Sequence, residues 1–241
     1  MNRRTFAYGA ATTQGSWPVQ EDGYFADPGA GVFALADGFG GRGAGDLAAK
    51  QALLEVRNAK SSAGMPKEGT LSPTQIAHRD LFADINKKIL QWNDKRPPAA
   101  RGGCSLLVAA VEREQQVTVT GCGTGSVFLL RGGVWLPLLS AQSPPRRDPH
   151  SALFPAQALG VSRDVVPETR SLLWQSGDVL LLLSGGVVWE REGFATGLTA
   201  QLALRPPGSD LSAFVAVAAE GEEGAPSPWN QTVVAIEALP V

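Results

Sequence analysis

The chain has 241 residues, of which 44% are hydrophobic and 18% are charged, and its formal net charge is −2. A chain of this length and hydrophobic content can bury a sizeable core, which excludes an intrinsically disordered protein. The nearly balanced charge argues against a nucleic-acid-binding protein, because such a protein normally needs a concentrated basic face.

No segment has the length or composition of a membrane span or a signal peptide. Apolar runs such as VLLLL at 179–183 are far below the about 18 residues that a transmembrane helix needs. The two arginines near the start are followed by a short, interrupted apolar stretch, which is not typical of a signal peptide. Cys104 and Cys122 lie in apolar segments and are interpreted as buried thiols. The sequence therefore predicts a cytoplasmic protein.

Strand-like segments lie on both sides of a long helical region. Several of them are continuously apolar, as expected of strands in sheets that are covered on their inner face. The predicted strands are residues 23–27, 31–37, 104–112, 116–123, 126–133, 178–186 and 231–239.

Three helices are predicted. The first, at residues 45–60, carries Leu47, Leu54 and flanking alanines on one side, which indicates an apolar face. The third is predicted to begin at Asp210 and to end at Gly221.

The second predicted helix, residues 72–95, has the clearest pattern. Ser72 and Gln75 match a capping box, and Pro73 occupies the first helical position. An apolar stripe at helical spacing follows and consists of Leu81, Ile85, Ile89 and Trp92.

The order of these elements indicates the fold class. Two helices follow one block of strands, and a long run of strands comes next, so that strands and helices do not alternate regularly. This order predicts an α+β architecture in which helices cover packed antiparallel sheets. We find no internal repeat and no long linker, and we expect residues 1–241 to form a single domain.

Two acidic stretches are candidates for chemistry. VQEDGYF places Glu21 and Asp22 side by side, and in a strand they would point to opposite faces, so that only one would enter a shared site. ADGFGG places Asp37 in a glycine-rich turn, where a carboxylate beside exposed carbonyl groups suits Mg²⁺ or Mn²⁺. Taken alone, each stretch is better explained as a turn, because Asp-Gly is among the commonest turn dipeptides.

The order of the motifs changes this interpretation. The chain reads QEDGYF, VFALADGFGG, GGCSLLVAAV, TVTGCGTGSVFLLRGG, ALG, GDVLLLLSGG and NQTVVAIE. Over nearly its whole length this series resembles the metal-dependent PPM-type (type 2C) serine/threonine protein phosphatase family. The resemblance implies a four-layer α-β-β-α sandwich, in which two antiparallel sheets are flanked by pairs of helices, with two divalent ions in the cleft between the sheets.

The resemblance assigns one of the two metal positions to residues that are present. Asp37 matches the acid that bridges both ions, Gly38 matches the carbonyl donor after it, and Glu21 matches the ligand in the first motif. Asp22 matches an acid of the second shell around the ions. We therefore expect at most one weakly held Mg²⁺ or Mn²⁺ ion.

The chain departs from the family's pattern around the second metal position. Gly185 and Trp229 stand where the family has the two aspartates that hold the other ion. Trp17 stands where the family has its phosphate-binding arginine, and Thr124 replaces a further acid near the metals. Phe39 stands where many members carry His or Met. We expect no catalytic residues, and we interpret Trp17, Phe39 and Trp229 as a partner or cleft surface or as ordinary packing.

Other acids are weaker candidates for the missing ligands. Asp178 lies seven residues before Gly185, so a regular strand would place it roughly 23 Å away, which excludes it. Glu190, Glu222 and Glu223 remain open as replacements, although their default interpretation is solvated surface.

Three functions are consistent with these motifs. The first is a bacterial pseudophosphatase, inactive or very weak, that acts in signalling by binding a phosphoprotein, a kinase or another subunit. The second is an active Mg²⁺- or Mn²⁺-dependent phosphatase with a rearranged metal site. The third is a structural subunit of a larger complex.

Overall fold

The computed structural model describes residues 6–41, 43–59, 73–112, 116–142, 155, 157–187, 194–206, 208–220 and 227–239. The strands in this part of the chain are β1 (Phe6–Thr13), β2 (Asp22–Asp27), β3 (Val32–Gly40), β4 (Gly102–Val111), β5 (Gln116–Cys122), β6 (Ser126–Arg131), β7 (Val134–Leu139), β8 (Glu168–Leu173), β9 (Val179–Leu183) and β10 (Gln231–Ala238). The helices are α1 (Ala44–Ala59), α2 (Pro73–Asp94), α3 (Phe194–Ala203) and α4 (Ser212–Ala219).

The strands form two antiparallel five-stranded sheets. The first sheet has the order β1-β10-β9-β6-β7, and the second has the order β2-β3-β4-β5-β8. Strand β3 pairs with β4 along its whole length, from Val32 opposite Ala110 to Gly40 opposite Gly102. The long strands β3 and β4 therefore lie inside the second sheet, and β2 lies at one of its edges.

Three apolar layers explain why the central strands are almost entirely buried. In β3, Phe33 and Leu35 point into the core between the sheets, whereas Ala34 and Ala36 point toward the helices. The core between the sheets also contains Leu107, Leu180, Leu182, Val234 and Ile236. Because both faces of each central strand are covered, these strands appear in the sequence as continuous apolar runs.

The helices cover the outer face of each sheet. Phe82, Ile85 and Ile89 of α2 pack with α1 over the second sheet. Phe214 of α4 and Leu198 of α3 pack over the first sheet. This is the α+β, four-layer α-β-β-α sandwich predicted above, and that prediction is confirmed.

The predicted face of the first helix was wrong. Leu47 and Leu54 are 50% and 47% exposed, and the buried face of α1 consists of small residues such as Ala48 and Ala52. The reason is the close approach of α1 to β3. A Cβ atom on Gly45 would lie only 2.5 Å from the backbone nitrogen of Phe39. Large side chains on this face would not fit between the helix and the sheet.

The other predicted strands and helices are confirmed in part. All seven predicted strands are present, but β1, β7, β8 and α3 were not predicted. In the stripe of α2, Ile85 and Ile89 are buried, whereas Leu81 and Trp92 are only half-buried. The capping box at Ser72 and the proposed end of the third helix at Gly221 lie outside the described residues. None of the helices in the described ranges combines the length and the apolar character needed to cross a membrane.

Candidate functional site

A cleft lies where strand ends of the two sheets meet, and the residues singled out from the sequence line it. Its described lining is Trp17, Glu21, Asp22, Asp37, Gly38, Phe39, Thr124, Pro155, Gly185, Gly186, Trp229 and Asn230. Every residue assigned to the metal position, to the lost ligands or to the cleft surface is therefore part of one site.

The register of the second sheet brings two of the acids together. Asp22 is the first residue of β2 and lies directly opposite Asp37 of β3. Glu21 precedes the strand, and the expectation that only one of Glu21 and Asp22 would enter a shared site was wrong, because both line the cleft. The alternation of side chains applies only within a regular strand, and Glu21 lies just outside it.

The carboxylate of Asp37 is held by two hydrogen-bond donors. Its Oδ2 atom accepts a hydrogen bond of 2.9 Å from the backbone N–H of Gly185 and one of 3.1 Å from the hydroxyl of Thr124. The Thr124 hydroxyl in turn lies 2.9 Å from Ser105 Oγ. Thr124 and Gly185, the residues expected in the place of two acids, thus direct an O–H and an N–H group at the same carboxylate oxygen.

Glu21 is fixed by the loops on both sides of the cleft. Its carboxylate Oε2 accepts a hydrogen bond of 3.2 Å from the indole N–H of Trp17. Its backbone N–H donates to Asn230 Oδ1 over 2.8 Å, and its carbonyl accepts from the N–H of Gly38 over 3.1 Å. Glu21 is therefore buried, with only 4% exposure, although it carries an acid group.

The pKa of Asp22 is strongly perturbed by its surroundings. Burial raises its pKa well above the ordinary value, and the neighbouring Asp37 carboxylate raises it further, while hydrogen bonds with Ser184 and Thr232 act in the opposite direction. Its Oδ2 atom is buried without a hydrogen-bond partner in the described part of the chain. A buried polar atom without a partner is costly, and the raised pKa lowers this cost because it favours the neutral carboxyl group.

Two tryptophans form the rim of the cleft. The rings of Trp17 and Trp229 lie 5.4 Å apart, centroid to centroid, with an interplanar angle of 34°. Both side chains are half-buried, so part of each indole faces solvent. Phe39 also lines the cleft but is only 3% exposed, and it therefore forms part of the wall.

Glycines are required at two positions behind this rim. A Cβ atom on Gly186 would lie 1.9 Å from the carbonyl oxygen of Asn230. A Cβ atom on Gly185 would lie 2.5 Å from Thr124 Oγ1 and 2.8 Å from Asp37 Oδ2. The backbone at Gly185 and Gly186 therefore packs tightly against its neighbours, and a side chain at position 185 would require Thr124 or Asp37 to move.

Asn230 is the functional position that the sequence analysis underestimated. Besides accepting from Glu21, its side chain donates to the carbonyl of Gln14 over 2.9 Å, and so it joins the start of β10 to the loop that carries Trp17. A signal was present in the sequence, because Trp229-Asn230-Gln231-Thr232 matches the family motif Asp-Asn-x-Thr at its second and fourth positions.

The structure describes only one of the other acids that were considered as metal ligands. Asp178 is 2% exposed and pairs with Arg131 over 2.6 Å, and it does not line the cleft, as expected from its distance along β9. Glu190, Glu222 and Glu223 lie outside the described residues. Cys104 and Cys122 are buried free thiols, as predicted, and burial raises the pKa of Cys122 to about 12.

The fold places the chain among the PPM-type serine/threonine phosphatase structures, and the resemblance drawn from the motifs is confirmed. No family model matches the chain. PppA, described as a key regulatory component of T6SS in Pseudomonas aeruginosa, is similar with a TM-score of 0.78 and 24% identity, over 97% of this chain and 98% of that chain.

Two further proteins show the same likeness. The catalytic domain of the serine/threonine protein phosphatase PstP, solved with 2 manganese ions, matches with a TM-score of 0.74 and 22% identity, over 98% of this chain and 99% of that one. The serine/threonine phosphatase stp of Listeria monocytogenes is 26% identical over 176 residues, which cover 65% of this chain. That match spans 66% of the length of the Listeria protein.

The residues present fit two metal ions poorly. In the described ranges, no group of three or more His, Cys, Asp or Glu side chains is arranged to hold a metal ion. At the second position Gly185 and Trp229 supply no side-chain oxygen, and Asp37 Oδ2 already accepts two hydrogen bonds. At the first position the donors are the carboxylates of Glu21 and Asp37 and the carbonyl of Gly38, beside the orphaned Asp22 oxygen.

Proposed function

We propose that this protein is a PPM-type pseudophosphatase, a single domain over residues 1–241 that is inactive or very weak as an enzyme and acts by binding a protein partner. The observation that carries the proposal is the pair of hydrogen bonds from Thr124 and Gly185 to Asp37 Oδ2, at 3.1 and 2.9 Å. In this cleft neutral donors stand where a working enzyme of the family needs acids and an ion.

Phosphoryl transfer requires what these replacements remove. A two-metal hydrolase uses both ions to clamp the attacking and leaving oxygens and to lower the pKa of the attacking water. Trp17 cannot replace an arginine, because an indole has a single donor and no charge, whereas a guanidinium binds phosphate with a charged fork. Phosphomonoesters are among the most inert biological bonds. An incomplete site should therefore give little turnover.

One weakly held ion is compatible with the proposal. Glu21, Asp37 and the carbonyl of Gly38 are hard oxygen donors of the kind that Mg²⁺ and Mn²⁺ prefer. When bound, such an ion would supply positive charge at the floor of the cleft. Mg²⁺ gives up its waters reluctantly, and a site with two carboxylates would leave most of its shell hydrated.

An active phosphatase with a rearranged site is the second candidate. The observation in its favour is that Glu21, Asp22, Asp37 and Gly38 are all retained in one cleft. A third candidate, a structural subunit of a larger complex, predicts that the cleft binds nothing.

The partner class follows from the same site. PppA, which shares this fold, is described as a regulatory component, and this description supports the proposal of a protein partner. We also propose that the protein acts in bacterial signalling in the cytoplasm. The half-buried Trp17 and Trp229 are residues of the type that is enriched at the centres of protein interfaces. Nothing in the cleft resembles a nucleic-acid surface, since its described lining contains no lysine or arginine.

A phosphatase assay tests the proposal directly. The purified protein is incubated with an aryl phosphate and excess Mn²⁺, and Asp37→Ala is measured in parallel. We expect both proteins to give the same background rate. Turnover by the wild-type chain that is lost in Asp37→Ala would establish the second candidate instead.

Calorimetry separates the third candidate. The wild-type chain and Glu21→Ala are titrated with Mn²⁺ and with Mg²⁺ in separate experiments. Weak binding by the wild-type chain that Glu21→Ala abolishes would show a retained ion site and count against a purely structural subunit.

A further inference from the structure

We propose that the outer edge of β1 is a docking site for an extended segment of a protein partner, which adds to the first sheet as a sixth strand. The groove beside this edge shares no described lining residue with the cleft. The inference therefore goes beyond the proposed function, and it does not depend on whether the cleft is inactive.

Strand β1 lies at one edge of the first sheet and pairs with β10. The pairing runs without a register shift from Phe6 opposite Ala238 to Thr13 opposite Gln231. Among the described strands, none pairs with the other side of β1. In an antiparallel ladder the backbone groups of alternate residues point away from the paired strand, so the outer edge of β1 presents N–H and C=O groups that a further strand could bind.

The other three edge strands carry features that hinder pairing with a further strand. Strand β7 contains Pro137, and β8 carries the charged residues Glu168 and Arg170. Strand β2 has six residues, with Asp22 and Asp27 at its ends. Proteins protect sheet edges in these ways, with proline, charged side chains and short strands. Strand β1, FAYGAATT, has eight residues and neither a charge nor a proline, so its edge is open to pairing.

A groove of about 610 Å³ lies beside β1, and its lining suits a single extended segment. Five consecutive residues of β1, 6–10, line it. Tyr24 and Ala26 of β2 flank the edge on the face toward the second sheet, and residues 208–212 flank it on the face toward the helices. A second copy of the chain carries the same flanking residues beside its own β1, and these would clash before the two edges could pair.

The helix-side wall of the groove is held in place without a ligand. Gly9 lies so close to this wall that a Cβ atom on it would be 2.6 Å from the backbone carbonyl carbon of Leu211. The N–H of Gly208 donates a hydrogen bond of 3.1 Å to the carboxylate of Glu237 in β10. A preformed groove lowers the entropic cost of binding.

The two walls predict which side chains the segment carries. The side chains of an added strand alternate between the two faces of the sheet. On one face they meet the aromatic rings of Tyr8 and Tyr24, of which Tyr24 is 42% exposed. On the other face they meet the polar residues Ser209, Asp210 and Ser212. We therefore expect a segment in which apolar residues alternate with small polar ones.

The test uses the full chain labelled with nitrogen-15 and the synthetic peptide acetyl-Lys-Thr-Val-Thr-Val-Thr-Val-Lys-amide. We expect the peptide to shift the backbone N–H signals of residues 6–10, with a dissociation constant of about 0.1–1 mM. It should also slow hydrogen exchange of alternate N–H groups in β1 by about tenfold at saturation. The absence of these shifts, or slow exchange of every N–H group of β1 in the free chain, would overturn the proposal.

Two N-methylated peptides separate backbone pairing from apolar adsorption. In a strand the N–H groups of alternate residues point to the same edge, so methylation of the three valine nitrogens blocks one edge and methylation of the three threonine nitrogens blocks the other. We expect one of these peptides to bind like the parent and the other to bind about tenfold more weakly or worse, because it loses its hydrogen bonds to β1. Equal affinities of the two methylated peptides would overturn the proposal.

Two variants locate the binding site. Tyr24→Lys places a positive charge in the groove beside the lysine-containing peptide, and we expect about a tenfold loss of affinity. Leu173→Lys makes the same kind of change on β8, at a residue that is 69% exposed, and should leave the affinity unchanged. A well-dispersed spectrum shows that each variant is folded. Undiminished binding by Tyr24→Lys, or an equal loss in both variants, would overturn the proposal.

Sedimentation of the free chain tests a second copy as the occupant. We expect a monomer, and a dimer that Tyr24→Lys dissociates would assign the edge to a second copy and overturn the proposal. The failure of the proposed function is seen separately, as phosphatase turnover that depends on Asp37.

Discussion

The hydroxyl group of Thr124 donates a hydrogen bond of 3.1 Å to Asp37 Oδ2, and it thereby joins the loop between β5 and β6 to strand β3. Ser105 Oγ accepts from the backbone N–H of Thr124 over 3.0 Å and lies 2.9 Å from the Thr124 hydroxyl. A threonine at this position therefore satisfies the Asp37 carboxylate from within the protein.

Thr124→Val should destabilise the fold without changing its shape. The substitution removes the hydroxyl from a residue that is only 9% exposed, and it deprives Asp37 Oδ2 of a hydrogen-bond donor. Because a hydrogen bond to a charged group contributes about 1.5–3 kcal/mol, we expect a loss of about 2 kcal/mol in the free energy of unfolding. Urea denaturation measures it. Thr124→Ser retains the donor and serves as the control, and equal stabilities for the valine variant and the wild-type chain would contradict the prediction.

Restoring both family acids should create a stronger metal site. We expect Gly185→Asp/Trp229→Asp to be less stable than the wild-type chain without metal, because it adds carboxylates beside Asp22 and Asp37 and because a Cβ atom at position 185 is crowded. Added Mn²⁺ should reverse this loss, since a ligand at 100 times its dissociation constant stabilises by about 2.7 kcal/mol.

This prediction is tested by the shift in unfolding temperature that Mn²⁺ causes in each protein. The wild-type chain should shift by much less than the double variant, and Gly185→Asp alone should fall between them. An equal response of the wild-type chain and the double variant would show that the second position binds metal without its acids.

The sequence predicted the membership of the site better than its geometry. Asp37, Glu21 and Asp22 were found because short motifs keep their order along the chain, and the fold brings them into one cleft. The contacts between Thr124, Gly185 and Asp37 could not be predicted, because they join residues as far apart in sequence as 87 and 148 positions. Hydrogen bonds of this kind depend on tertiary structure and leave no local pattern.

The elements that the sequence did not predict, and the wrongly predicted face of α1, also have physical explanations. Strand β8, with the sequence ETRSLL, lies at a sheet edge, and its half-exposed and exposed residues give no apolar run. Strand β7 is one of the two edge strands of the other sheet and contains Pro137, which in a central strand would remove a ladder hydrogen bond. In α1 the leucines suggested the buried face, but packing space and not hydrophobicity decides which side of that helix meets the sheet.

A larger side chain on the buried face of α1 should lower the free energy of unfolding more than truncation of an exposed leucine of the same helix. Ala52 is fully buried against the second sheet, so Ala52→Leu should lower the free energy of unfolding by about 1–3 kcal/mol through overpacking. Leu54→Ala, on the exposed side of the same helix, should change it by about 0.5 kcal/mol or less. Urea denaturation of the two variants compares them, and a larger loss for Leu54→Ala would show that α1 packs through its leucines.

His78 should make stability fall in mildly acidic solution. Burial lowers its pKa to about 4 from the ordinary 6.5, and its Nδ1 atom lies 2.8 Å from Thr120 Oγ1. Between these two pKa values the unfolded chain takes up a proton that the folded chain does not, so stability decreases as the pH falls from 6.5 toward 4. The full difference corresponds to about 3 kcal/mol.

Urea denaturation at several pH values between 7 and 5 tests this linkage. His78→Gln removes the titrating group, and its stability, although lower at pH 7, should depend less on pH across that window. Parallel pH profiles for the two proteins would mean that groups other than His78 govern the acid sensitivity.

The ion pair between Arg205 and Glu237 should contribute more to the free energy of unfolding than the exposed pair between Arg170 and Glu168. Arg205 and Glu237 are 13% and 8% exposed and lie 2.5 Å apart, whereas Arg170 and Glu168 are 57% and 32% exposed. Glu237→Gln leaves the Arg205 charge buried without its counterion, so we expect a loss of about 3 kcal/mol. Glu168→Gln, the matched control, should cost less than about 1 kcal/mol, because solvent screens surface pairs.

The double variant Arg205→Met/Glu237→Gln distinguishes an unpaired charge from lost packing. If the penalty in Glu237→Gln arises from the uncompensated guanidinium, then removing that charge as well should recover part of the lost stability. A further loss in the double variant, measured by the same urea denaturation, would instead assign the effect to the hydrogen bonds that Arg205 donates to Ser209.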